Sequence, residues 1–341
     1  MTNTEDLNGK TVAAVRGLRL HDKAPSYDTI ALSLEDQPLR PLRPGEVLVE
    51  IQAAAVNPSD AKAATGLMPY AVFPRTPGRD FAGQVVAGPE NLIGKRVFGS
   101  SGDLGIRQDG SHGSHMIVEA DAVVEVPEGI DIKAAAGIGV PFVTAWQGLK
   151  RAGLPAAGET VLILGLNGKV GQAAAQIATW RGARVIGVVR RNEAYQGHAN
   201  APVEVLAADT VDVPARVREL TGGKGADVVY NTVGDPFYEI GQKSLAVRGR
   251  AIFISVVDRF VTFDLLSFYK GQHTYVGIDT ISLSSVETGA ILRELAPGFA
   301  AGTLKPFPIV ESAIYPLERA YDAYQAVMAS SRDRIVLVPG A

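Results

Sequence analysis

No stretch of this chain leaves folding as few options as residues 160–189. Thr160-Val161-Leu162-Ile163-Leu164 is a continuous apolar run of strand length, the pattern of a strand covered on both faces. Gly165-Leu166-Asn167-Gly168-Lys169-Val170-Gly171 follows. Next come an alanine-rich helical pattern over 170–180, closed by Gly182, and a second apolar run, Val185-Ile186-Gly187-Val188-Val189. Strand, glycine turn, helix and strand make a βαβ unit, which implies a parallel sheet. In that context Gly168 lets the backbone approach a pyrophosphate and Gly171 lets the helix close on the strand. The helix start then offers unpaired N–H groups to negative charge. The spacing is GxxGxxG, with Leu166 where the stricter dinucleotide fingerprint has its first glycine, so an ordinary tight strand–helix turn is the competing reading.

The end of the second strand carries more information. An NAD site needs an acidic side chain about 20 residues beyond the glycines to accept the ribose 2′-OH. Here the strand runs into Arg190-Arg191. Two guanidinium groups suit a 2′-phosphate, so the expected cofactor is NADPH.

Around this unit the texture is uneven. Residues 1–127 read as β-rich, with short strands at 46–51, 84–87 and 95–98 set off by Gly45, Gly83, Gly88 and Gly94, as in a folded-over barrel or sandwich. Beyond Pro127, strand and helix patterns alternate through 213–220, 227–231 and 250–255. Ser284 with Glu287 is a capping box, and its helix would bury Ile291, Leu292 and Leu295. A last helix over 317–328 leads to a terminal strand at 334–338. The expected class is α/β: a doubly wound parallel sheet plus a β-rich domain.

Composition narrows the function. The 341 residues carry 33 basic and 36 acidic side chains, net −3, with no broad attraction for phosphate backbones or anionic membranes. Cysteine is absent, which excludes thiol nucleophiles, disulfides and thiolate metal sites. The longest uncharged apolar run, between Lys133 and Lys150, falls short of a membrane span. The acidic, polar start Met1-Thr2-Asn3-Thr4-Glu5-Asp6 lacks signal-peptide character, so a soluble, cytoplasmic protein is expected. Gly9-Lys10-Thr11 imitates the end of a phosphate loop, but Thr4 stands where its first glycine must be.

The order of these features resembles the medium-chain dehydrogenase/reductase superfamily, in its zinc-independent quinone oxidoreductase and enoyl reductase branch. The marks are Ala55-Val56-Asn57-Pro58-Ser59-Asp60, Pro77-Gly78-Arg79-Asp80-Phe81-Ala82-Gly83, Gly110-Ser111-His112-Gly113-Ser114-His115, Pro141-Phe142-Val143-Thr144-Ala145-Trp146, the glycine turn, and Asp227-Val228-Val229-Tyr230-Asn231-Thr232-Val233-Gly234. The resemblance implies a GroES-like catalytic domain from both chain ends (1–127 and 273–341) around a Rossmann-type dinucleotide domain (128–272). It also implies a homodimer through strand pairing near residues 274–276. Zinc-dependent relatives carry Gly-His-Glu where Gly78-Arg79-Asp80 stands, a metal-binding cysteine near Asn57, and a four-cysteine lobe. All are missing, and His21, His112, His115, His198 and His273 form no ligand motif, so no metal is expected.

Without a Lewis acid, hydride transfer favours an acceptor already activated by conjugation. A quinone or an α,β-unsaturated carbonyl qualifies, as does an enoyl thioester; a non-catalytic NADPH-binding adaptor is the reading from another class. By resemblance Asn57 lies by the substrate and nicotinamide ribose, with a turn residue before Pro58 as its other role. Thr144 lies beside the nicotinamide, or caps a helix start. Tyr70 lies near the substrate, where a phenol can protonate or orient an enolate. The cofactor set is Gly165, Asn167, Gly168, Lys169, Val170, Gly171, Arg190, Arg191, Asn231 and Arg332. The polar stretch 192–202 lacks the family's usual helix after the second strand.

Overall fold

The computed structural model describes residues 12, 14–68 and 70–340. Gly9-Lys10-Thr11, the acidic start of the chain and Pro69 lie outside them. The described chain divides into two compact units: Met1–Val140 with Thr280–Pro297 and Pro306–Ala341, and Pro141–Asp279 with Gly298–Lys305. These crossing points differ from the expected 127/128 and 272/273. The first unit keeps the turn-and-helix segment up to Val140, and Gly298–Lys305, which begins as the end of a helix, groups with the second unit.

The first unit opens with a hairpin, β1 (Ala14–Arg19) and β2 (Ser33–Pro38). Then come β3 (Glu46–Ala55), helix α1 (Pro58–Ala64), β4 (Asp80–Ala87), β5 (Arg96–Ser100), β6 (His115–Glu119), β7 (Val124–Glu125) and helix α2 (Ile132–Ala136). β3 is central, antiparallel to β4 and to β6, and β4 continues through β5 to β7. Val47, Val49, Ile51, Phe81, Val85, Val97, Met116 and Val118 form the core beneath this sheet.

In the second unit, helix α3 (Gly139–Arg151) leads to β8 (Thr160–Leu164), α4 (Lys169–Trp180), β9 (Arg184–Val189) and β10 (Val203–Ala207). α5 (Val213–Leu220), β11 (Ala226–Asn231), α6 (Tyr238–Ser244), β12 (Leu245–Phe253), α7 (Leu265–Gly271) and β13 (Thr274–Gly277) complete it. Six strands lie in the order β10-β9-β8-β11-β12-β13, every pair parallel. The order reverses between β8 and β11. In open parallel sheets, ligands sit at such a reversal, beyond the carboxyl ends of the strands. Each residue of β8 is buried, as its unbroken apolar run requires.

The chain then forms α8 (Ser285–Ala300), whose Ser284 and Glu287 make the capping contacts expected of them. Ile291, Leu292 and Leu295 are buried. β14 (Ile314–Tyr315), α9 (Ala320–Met328) and β15 (Val336–Leu337) follow, and β15 pairs antiparallel with β3. The last helix is shorter than 317–328 because 317–319 is a 3₁₀ turn. No helix among the described residues is long and apolar enough to cross a membrane.

Candidate active site

The glycine turn sits at the carboxyl end of β8. Gly165 has φ +85°, which only glycine adopts without strain. Its N–H and that of Leu166 both donate to the Val188 carbonyl, each at 3.0 Å, tying the turn to β9. Leu166 is fully buried, its side chain against Gly187, so the residue that departs from the stricter fingerprint serves as a packing plug. Gly168 is the N-cap of α4, at φ −67°. A Cβ on Gly171 would overlap the carbonyl oxygens of Gly165 and Leu166; helix and turn close there as the sequence predicts. Lys169 and Val170 form the first turn of α4.

The Asn167 side chain is hydrogen-bonded to the segment that follows β9. Its Nδ2 donates to the Ala194 carbonyl at 3.0 Å and its Oδ1 accepts the Gln196 N–H at 3.1 Å, pinning the segment that follows β9. That segment has no helix over 192–202 and is held further by Asn200, whose N–H donates to Thr179 Oγ1 at 3.1 Å. Arg190 and Arg191 follow directly on β9 at the same sheet edge as the glycine turn. Both are exposed, and neither pairs with a described residue. Asn231 ends β11; its Oδ1 accepts the N–H groups of Val233 and Gly234, and its Nδ2 donates to the Gly234 carbonyl. Its side chain shapes the turn beside the order reversal. Thr144 is nearly buried within α3, past the helix start where a cap would sit. Its carbonyl accepts the buried Tyr230 hydroxyl at 2.6 Å, which ties α3 to β11.

The first unit contains Asn57, Tyr70 and Arg332. Asn57 is buried at the N-cap of α1, with Pro58 at the first helical position, so the turn role is real. Its amide has a second duty. Nδ2 donates to Asp80 Oδ2 at 2.9 Å, and Oδ1 accepts from Arg334 Nη1 at 3.0 Å. An ionised carboxylate only accepts and a guanidinium only donates, so the amide has one possible orientation. One Nδ2 proton is left without an acceptor among the described residues.

Asp80 and Arg334 form a buried ion pair at 2.7 Å. Asp80 Oδ1 accepts the Val140 N–H at 2.9 Å, while Arg334 also donates to the carbonyls of Gly137 and Val56. Arg79, 3% exposed, donates to Ser101 O, Ser59 Oγ and Thr280 O. Residue patterns did not single out this network. The signal for Arg334 was an arginine heading the buried run Ile335-Val336-Leu337; Arg332, two residues earlier, is exposed. Tyr70 packs with Met68 and Ala71 against Ala63, Ile106 and Ile281, and the Arg107 guanidinium stacks 4.8 Å from its ring centre. Asn57 and Ala63 mark the two ends of α1, about 9 Å apart at helical rise.

Family models match at residues 43–128, for an alcohol dehydrogenase GroES-like domain, and at 170–295, for a zinc-binding dehydrogenase. The chain is 34% identical over 324 residues, 92% of its length, to a zinc-type alcohol dehydrogenase-like protein of Schizosaccharomyces pombe, and covers 94% of that protein. It belongs to the medium-chain dehydrogenase/reductase superfamily, quinone oxidoreductase branch. Human quinone oxidoreductase is 28% identical over 84% of this chain and 86% of its own. A mycobacterial protein solved with NADPH superimposes with a TM-score of 0.78 at 26% identity, covering 95% of this chain and all of that one. The protein is therefore an oxidoreductase of this superfamily that takes a nicotinamide cofactor.

Zinc, which one family description mentions, does not fit these residues. A cation would face the Arg79 guanidinium, the chain has no cysteine, and no group of three or more His, Asp or Glu among the described residues could hold a metal.

Proposed function

We propose that this protein is an NADPH-dependent reductase of quinones or α,β-unsaturated carbonyls that works without a metal. The observation that carries the reading is the pair Arg190-Arg191, exposed and uncommitted where β9 ends beside the glycine turn. In this reading the guanidinium groups hold the 2′-phosphate, and Gly168 and the N–H groups at the start of α4 receive the pyrophosphate. The bound cofactor supplies a hydride. Thr144 and Asn231 line the nicotinamide half, and Arg332 adds a contact to the cofactor.

Conjugate reduction builds negative charge on the acceptor oxygen. Asn57 donates a hydrogen bond to that oxygen through its remaining Nδ2–H. Asp80 and Arg334 have already fixed the amide, so little reorganisation is needed as the charge develops. Tyr70 orients the acceptor or protonates the enolate. In the same reading the chain forms a homodimer through the edge strand β13. Val256, Val257, Phe260, Leu265, Leu266 and Tyr269 are exposed in the segment leading to it, the kind of apolar patch that marks an interface.

The cofactor assignment is tested with Arg190→Ala/Arg191→Ala. The double variant should raise the NADPH dissociation constant at least tenfold and leave that for NADH nearly unchanged. Equal effects on both would remove the 2′-phosphate assignment. NADPH binding without turnover of any acceptor would favour the adaptor.

A further inference from the structure

Asp60, the third residue of α1, is completely buried. Its Oδ2 accepts the Asn57 N–H at 2.8 Å, while its Oδ1 has no hydrogen-bond partner. The charges of Arg79, Arg334 and Arg75 act on it, as do the Asp80 carboxylate and the Tyr324 hydroxyl. Tyr324 in turn shares a hydrogen bond with buried His112. A carboxylate out of water with one oxygen unsatisfied costs stability. An asparagine would accept the same N–H without burying a charge. An acid kept where an amide would be cheaper points to work done by its charge.

We propose that Asp60 is a positioning residue for Asn57: ionised, it draws the Asn57 N–H into the first turn of α1 and shares the Arg334 and Arg79 charges with Asp80, and only then is the Asn57 amide correctly aimed. The inference rests on reading Asn57 as the hydrogen-bond donor to the acceptor. When Asp60 takes up a proton, its hold on the Asn57 N–H weakens and Arg334 is left to Asp80 alone. Burial pushes the Asp60 carboxyl up to about 7, against the opposing pull of the Asn57 N–H and Arg79. Its ionised fraction therefore falls about tenfold between pH 8 and pH 6.

The test compares the wild-type chain with Asp60→Asn, a change of nearly equal volume, using NADPH and a quinone or enone. Wild-type kcat should fall about tenfold from pH 8 to pH 6 at nearly constant acceptor KM. The variant should be about tenfold slower at pH 8, flat with pH, and as stable as wild type or more so. A variant that keeps the wild-type kcat and inflection, or one that changes KM alone, overturns the proposal. A second readout needs no turnover: the ¹⁵N signal of the Asn57 side-chain amide, identified by its loss in Asn57→Ser. It should titrate near pH 7 in the wild type and stay still in Asp60→Asn. If no acceptor is reduced, the reductase reading fails and the amide signal decides this proposal; a wild-type signal that does not move overturns it.

Discussion

His112 and Asp60 are both fully buried in the first unit, yet acid acts on them in opposite directions. Burial pushes the His112 imidazole down to about 4, from an ordinary value near 6.5. Folding therefore expels a proton there, and the stability this contributes is present above pH ~6.5 and lost as pH falls toward 4. Asp60 is raised to about 7. Its contribution is fully present below the unfolded carboxylate value near 4 and is lost as pH rises through 7. Between pH ~4 and ~6.5 the two slopes, each up to ~1.4 kcal/mol per pH unit, cancel. Urea unfolding should expose each one alone. In His112→Gln the midpoint should rise as pH falls from 6.5 to 4.5, and in Asp60→Asn it should fall. Wild-type slopes in both variants would refute the pairing.

At the scale of elements, the junction of β8 and α4 sets a glycine that packing requires, Gly171, beside one proposed to serve the cofactor, Gly168. A Cβ on Gly171 would run into two backbone carbonyl oxygens that have nowhere to go. Gly171→Ala should therefore cost about 1–3 kcal/mol in denaturant unfolding and weaken NADPH along with it. Gly168 has an ordinary negative φ, and a Cβ there would come no closer than 3.3 Å to Gly165 O. Gly168→Ala, which loses only a good N-cap residue and a tight but tolerable contact, should cost well under what Gly171→Ala costs in stability and still lose NADPH affinity. Equal stability losses in the two variants would contradict this division.

The same junction shows what residue patterns disclose. β8, α4 and β9 were legible because continuous apolar runs and a glycine turn are local signals. The shape of 192–202 was legible only as a missing helix. What holds it is Asn167 and Thr179, partners from distant positions, and no spacing rule encodes such pairings. The wall around Asn57 was hidden for the same reason, since its partners Asp80 and Arg334 lie 23 and 277 positions away. Periodicity shows that Arg334 heads a strand; it does not show which carboxylate receives it.

On the scale of the whole molecule, the two units present different groups to the proposed reaction. The parallel sheet presents the glycine turn and the uncommitted arginines, and the β-rich unit presents the fixed Asn57 amide. In the proposed homodimer the exposed apolar segment before β13 supplies the contact: sedimentation at micromolar concentration should give a dimer, and Phe260→Asp/Leu265→Asp should shift it toward monomer with NADPH affinity kept. A monomeric wild type would refute the dimer. The central claim is hydride transfer from NADPH to a conjugated acceptor with no metal involved. Its most direct test follows NADPH oxidation with a quinone, an enone and crotonyl-CoA side by side, with and without a chelator. The account predicts turnover of the quinone or the enone at a rate the chelator leaves unchanged. Binding of NADPH with no oxidation by any of the three, or activity abolished by the chelator, would contradict it.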